Sequence, residues 1–147
     1  MPNFDIVMKQ LILILLVTLM SCKGNQNTAQ SEQAQAMPLS GAYEVTDLVG
    51  SALGAKKPMI NFETKESRVF GNSGCNSYFG QYEQDGKVLK FGVLGSTEMA
   101  CQEPLMQAEI ALYNAFQNTA SFELENSILV LKDAQGNDLL TAIYKRD

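Results

Sequence analysis

The feature that most limits what this chain can become is a series of short apolar runs, alternating with polar residues and cut by turn sequences. Tyr78-Phe79-Gly80-Gln81-Tyr82-Glu83 and Val88-Leu89-Lys90-Phe91 flank Asp85-Gly86. An Asp-Gly pair between two runs of period two is a hairpin signal, because glycine accepts the positive φ that tight turns need. A second hairpin is expected where Ile128 to Leu131 and Leu139 to Tyr144 flank Asp133-Ala134-Gln135-Gly136-Asn137. Earlier strands are marked by Tyr43, Val45 and Leu48, by Met59, Ile60 and Phe62, and by Val69-Phe70. One stretch breaks the period. From Pro104 to Phe116, the residues Leu105, Ala108 or Glu109, Leu112 and Phe116 recur at helical spacing. Pro104 suits a first helical turn, where its missing N–H costs nothing. The pattern predicts an α+β fold: an antiparallel sheet of six to eight short strands, curled toward a small barrel, with one α-helix packed on it.

The N-terminal part obeys different rules. Leu11 to Met20 reads LILILLVTLM, too short to cross a bilayer but suited to the apolar region of an export signal. It runs into Leu19-Met20-Ser21-Cys22, which resembles a bacterial lipobox, so residues 1–21 are expected to be a lipoprotein signal peptide and Cys22 the lipidated residue. Acyl chains on Cys22 would be the membrane anchor, each buried methylene contributing ~0.8 kcal/mol. Met8 is an alternative start, because the preceding residues add Asp5 to a region that favours positive charge. Lys23 to Ala36 (KGNQNTAQSEQAQA) has no aromatic or large aliphatic residue and cannot offset chain entropy by burial. Residues 22–40 are therefore expected to be a disordered tether and residues 41–147 the folded domain. Lysine rather than aspartate after Cys22 favours the outer membrane.

Export decides how the cysteines are read. With Cys22 lipidated, Cys75 and Cys101 remain of the three cysteines. A leftover pair in a small exported domain reads as a disulfide. A nucleophilic cysteine needs a base, and the chain contains no histidine. Zinc would want four Cys or His ligands. Copper(I) would accept soft sulfur from Met99 and Met106 beside Cys101, but methionines at such spacing more often fill a core.

Net charge is −5, from 16 acidic and 11 basic side chains, with no basic cluster beyond Lys56-Lys57 and Lys145-Arg146. Without a positive face, nucleic acid is not an expected partner. No Gly-rich phosphate loop is present, because GNSGCN lacks the lysine and the spacing. Glu63, Glu66, Glu98, Glu103 and Glu109 read as a solvated surface, since nothing in the sequence brings two of them together as acid and base. Gly74 and Gly80 are expected to serve backbone conformation or close packing, Asn76 to hydrogen-bond its own turn, and Thr97 to cap neighbouring backbone. Tyr78 and Tyr82 share one strand face, opposite Phe79. One face must be core, and the face of Tyr78 and Tyr82 is a candidate partner patch.

These residues also carry a resemblance. Ser73-Gly74-Cys75-Asn76-Ser77-Tyr78-Phe79-Gly80-Gln81-Tyr82, then Phe91-Gly92, then Ser96-Thr97-Glu98-Met99-Ala100-Cys101, resembles the META/HslJ family. There a Gly-Cys-Asn turn, a Phe-x-Gly strand and a Thr-x-Met-Ala-Cys segment recur in this order. Met106-Gln107-Ala108-Glu109 and the Leu129-Val130-Leu131-x-Asp133-x-x-Gly136 hairpin continue the match, which spans about Tyr43 to Tyr144. Tyr43 stands where tryptophan is often found, and Glu98 where a basic residue is common. The resemblance implies a compact antiparallel β domain with a helix, in envelope and secreted proteins, linked to heat stress and drug tolerance and without an established catalytic activity.

Together these readings give a monomeric, lipid-anchored, non-catalytic module of the cell envelope that needs no cofactor and no metal and serves stress or drug tolerance through protein binding. The alternatives are a small hydrolase using carboxylates, which requires two of them converging in a cleft, and a small-ligand carrier, which requires a barrel interior its side chains do not fill.

Overall fold

The computed structural model describes residues 37–146. The expected signal peptide, Cys22 and the expected tether up to residue 36 lie outside the described residues.

Among the described residues the chain forms nine strands and one α-helix: β1 (Gly41–Leu48), β2 (Met59–Glu63), β3 (Arg68–Asn72), β4 (Ser77–Asp85), β5 (Val88–Phe91), β6 (Gly95–Ser96), α1 (Leu105–Asn118), β7 (Ser121–Glu125), β8 (Ile128–Lys132) and β9 (Asp138–Lys145). All pairings are antiparallel. Eight strands follow one another as β3-β2-β1-β9-β8-β7-β5-β4, and β4 pairs back onto β3, so the sheet does not merely curl but closes. The short β6 pairs with β4 at Tyr78↔Ser96 and Phe79↔Gly95. Closure removes the free edges that an open sheet of this size would expose.

Both expected hairpins form, β4–β5 around Asp85-Gly86 and β8–β9 around the Asp133 to Asn137 loop. Strands β6 and β7 were not among the expected elements. β7 alternates Phe122 and Leu124 with glutamates and turns into β8 through Asn126 and Ser127, at φ 51° and 68°. Two successive positive φ values make a hairpin turn whose hand matches strand twist, here achieved without glycine.

The barrel is filled by its own side chains. Tyr78, Phe122, Ile60, Val45, Val69, Leu89, Leu129, Leu131 and Leu140 are all buried within it. The helix contacts β1 and β9 on one side of the ring and β5 on the other, and so lies across an opening of the barrel. It sends Leu112 and Phe116 into the core, where Phe116 meets Phe91 at 4.5 Å and Tyr78 at 5.4 Å between ring centroids. Tyr43 packs edge-on against Phe62 (5.9 Å) and Tyr144 (5.4 Å).

Packing begins before the boundary that composition suggests. Leu39, within the expected tether of 22–40, is completely buried. Its N–H donates to Gln84 Oε1 (2.9 Å), and its carbonyl accepts from Thr64 Oγ1 (3.1 Å) and from the Tyr82 hydroxyl (3.2 Å). Burying a leucine contributes about 1.5–3 kcal/mol, so Leu39 packs as part of the folded domain.

Candidate functional site

The turn between β3 and β4 is built around a carboxylate. Ser73, Gly74, Cys75 and Asn76 are all buried, and the turn is closed by the Ser73 N–H donating to Asn76 O (2.7 Å). Gly74 sits at φ +101°, a backbone state that side chains disfavour. Facing the turn, Glu109 of α1 is only 8% exposed. Its Oε2 accepts from the Ser73 hydroxyl and from the Asn76 N–H (3.1 Å), and its Oε1 accepts from Asn76 Nδ2 (3.1 Å). Glu109 is thus no part of a solvated surface, contrary to expectation. A carboxylate is tolerated in such a place because donors surround it. The helical spacing held the signal, since it put Glu109 beside Leu105, Leu112 and Phe116.

Asn76 works in the other direction as well. Its Oδ1 accepts from Thr97 Oγ1 and from the Met99 N–H, both at 2.8 Å, and its Nδ2 donates to Met99 O (3.2 Å). Thr97 Oγ1 in turn accepts from the Ser77 N–H (3.2 Å). Met99 enters this network by its backbone alone, and its side chain is 57% exposed. Cys75 and Cys101 form a disulfide with Cα atoms 5.9 Å apart, so neither thiol is open to a metal. Among the described residues no group of three or more Cys, His, Asp or Glu side chains could hold a metal ion.

The partner patch placed on Tyr78 and Tyr82 is corrected. Both are core residues, 2% and 4% exposed, and their hydroxyls donate inward to the carbonyls of Met59 (2.9 Å) and Leu39 (3.2 Å). Burial pushes both phenols above their ordinary pKa, Tyr78 well above it. The exposed aromatics lie on the opposite face, where Phe70 and Phe79 pair directly across β3 and β4. Phe79 lies over Gly95, and a Cβ there would come within 2.9 Å of its ring.

The carboxylates considered as acid and base are dispersed. Glu63 and Glu66 pair with Arg68 at 2.9 and 3.7 Å, Glu103 accepts from the Gln107 amide (3.2 Å), and Glu98 is exposed. Glu66 and Glu83 line an open depression of about 740 Å³ with Lys90, Gln81 and Gln84.

A cleft of about 610 Å³ opens between β5 with its following loop and the C-terminal half of α1. Phe91, Leu94, Tyr113 and Phe116 supply its apolar wall, while Ser96 and Gln117 add polar groups. The Tyr113 hydroxyl is buried beside Ser73 and Ser96 without a well-formed hydrogen bond to either. Burial is the main cause that raises its pKa. The volume lies in the range of ligand sites, and neither Tyr78 nor Tyr82 lines it. Gly80 keeps the cleft's loop against the barrel, since a Cβ there would fall 2.5 Å from Leu94 Cδ2 and 2.9 Å from the Val93 carbonyl.

Residues 37–144 match the family model described as the META domain. Solved structures share the fold. One, described as the NMR structure of the protein from Burkholderia xenovorans, is 28% identical with TM-score 0.59, covering 78% of this chain and 86% of that one. A crystal structure of a DUF4847 family protein from Bacteroides vulgatus is 12% identical with TM-score 0.56, covering 76% and 96%, a likeness of fold alone. No curated protein matches the chain.

Proposed function

The chain belongs to the META domain family, and from that premise we propose that it is an envelope module that acts by binding protein rather than by catalysis. In this reading acyl chains on Cys22 hold it to the outer membrane, the following polar segment spaces it from the lipid, and its binding serves tolerance of envelope stress or drugs. The observation that carries the proposal is how the polar side chains of the turn motif are used. Ser73, Asn76, Thr97 and Glu109 bond to one another and to backbone. The cleft, by contrast, offers aromatic surface, a hydroxyl and an amide. Binding sites are built this way, with an apolar wall and a few polar groups.

The test is a pull-down from intact envelopes with the lipidated protein. A specific partner lost on deletion of residues 41–147, yet kept when residues 23–36 are exchanged for another polar spacer, supports the proposal. Absence of any partner that depends on the domain contradicts it.

A further inference from the structure

The closed ring thins at one seam, and the cleft lies on it. β5 pairs with β4 over four residues, Val88 to Phe91, but with β7 at a single position, Val88↔Ser121. Two hydrogen bonds flank that position, Leu89 N–H to Ala120 O (3.1 Å) and Phe122 N–H to Lys87 O (3.0 Å). The ladder cannot continue. The next rung would need the Ala120 N–H, which donates instead to Lys132 O (2.9 Å), and the chain before Ala120 belongs to the end of α1.

Strand alternation then fixes where Phe91 points its backbone. Leu89 donates outward to β7, while Gly92 donates inward to Gln81 O of β4 (2.8 Å). Groups two residues apart on a strand share a side, so the N–H and C=O of Phe91 turn away from β4 as those of Leu89 do. No strand lies opposite them among the described pairings. Phe91 and the loop after it line the 610 Å³ cleft, with Leu94, Tyr113 and Gln117 among its other walls.

We propose that this seam receives an extended polypeptide segment of a partner, added as a strand on β5 at Phe91, with alternate apolar side chains laid on the half-buried Phe91, Leu94 and Tyr113. The inference rests on the binding-module reading and names the chemistry its partner must have. A strand's unused N–H and C=O are satisfied by another extended backbone, and side chains of period two put every second residue on the aromatic wall. Val93 beside the seam is 96% exposed, so the approach is open from solvent. Proline at the residue facing Phe91 is excluded, because it brings no N–H.

The experiment selects binders from a random octapeptide library displayed on phage against the full-length lipidated protein in nanodiscs. Hydrogen exchange is then followed by mass spectrometry, with and without a synthetic selected peptide. Selected sequences are expected to alternate apolar residues and to slow exchange in residues 89–96. Methylating the peptide nitrogens on one alternate set should weaken binding roughly tenfold, and methylating the other set should have little effect, since only one edge of an added strand bonds to β5. Gln117→Arg, an exposed substitution reaching across the cleft, should weaken binding to a similar degree with an unchanged melting temperature. Failure to enrich any peptide, protection elsewhere, or equal sensitivity to both methylation sets overturns the proposal. If the envelope partner still depends on residues 41–147 in that case, only the site is wrong. If the partner is absent too, the binding-module reading fails on its own test.

Discussion

Glu109 and Asn76 meet through both carboxylate oxygens: Oε2 takes the Asn76 backbone N–H at 3.1 Å and Oε1 takes its side-chain Nδ2 at 3.1 Å. One side chain of the helix thereby holds the turn that leads into β4, and the same asparagine reaches on to Thr97 and Met99. The motif is a fastening between helix, turn and the segment leading to Cys101.

Two near-isosteric substitutions test this fastening. Glu109→Gln puts an NH₂ where one of the two accepting oxygens now stands, opposite a donor in either orientation, and Asn76→Asp puts an oxygen where Nδ2 now donates to Glu109 and Met99. Each should destabilise by about 2–4 kcal/mol, the scale for leaving buried polar or charged groups opposed or unpaired. The check is the urea midpoint, which should fall with unchanged slope. A midpoint within ~0.5 kcal/mol of wild type would mean that the network contributes little.

The disulfide ties the same region covalently. Cys75 and Cys101 are 26 residues apart, and closing a loop of that length contributes about 3 kcal/mol if chain entropy dominates. Cys75→Ser, Cys101→Ser and the double variant should lose equal stability, because each removes the same bond. Far-ultraviolet circular dichroism should stay unchanged, since the apolar core remains.

Stability should fall on the alkaline side. Burial raises the pKa of Tyr78 well above 10.0, with the neighbouring Tyr113 adding to the shift, and burial also raises Tyr43, Tyr82 and Tyr113. A raised folded-state pKa contributes stability that is fully present below the unfolded value near 10 and is lost as pH climbs toward the folded value. Urea unfolding at pH 7, 9 and 11 should show little change over the first interval attributable to these groups and a decline over the second. Tyrosinate absorbance should rise together with unfolding. Tyr78→Phe should shallow the alkaline decline while costing about 1 kcal/mol at pH 7 through its lost bond to Met59 O.

Anchoring is tested separately. Cys22→Ala should leave an uncleaved or soluble product that takes up no labelled fatty acid. Unchanged membrane fractionation of the variant would contradict lipidation.

The strands legible in the sequence were those with a run of apolar residues at strand spacing, most clearly where the run ends at a glycine-bearing turn, as at Asp85-Gly86 and the Asp133 to Asn137 loop. β7 escaped because Asn126-Ser127 takes positive φ without glycine, and β6 because two residues carry no period. Alternation separated Tyr78 and Tyr82 from Phe79 but could not say which face was inside. Barrel closure decides that, and it depends on β3 meeting β4 and on the helix across the opening. Glu109 was misread for a related reason. A carboxylate on a helical face looks solvated until the turn that surrounds it with donors is in place.

The most direct test of the binding account is photo-crosslinking in living cells, with benzoylphenylalanine at position 93 beside the cleft or at position 110 on the outer face of the helix. Val93 and Ile110 are 96% and 51% exposed, so neither replacement disturbs the core. The account predicts a discrete crosslinked protein band from position 93 that is absent from position 110 and weakened by Gln117→Arg. No band at position 93, or the same bands from both positions, would contradict it.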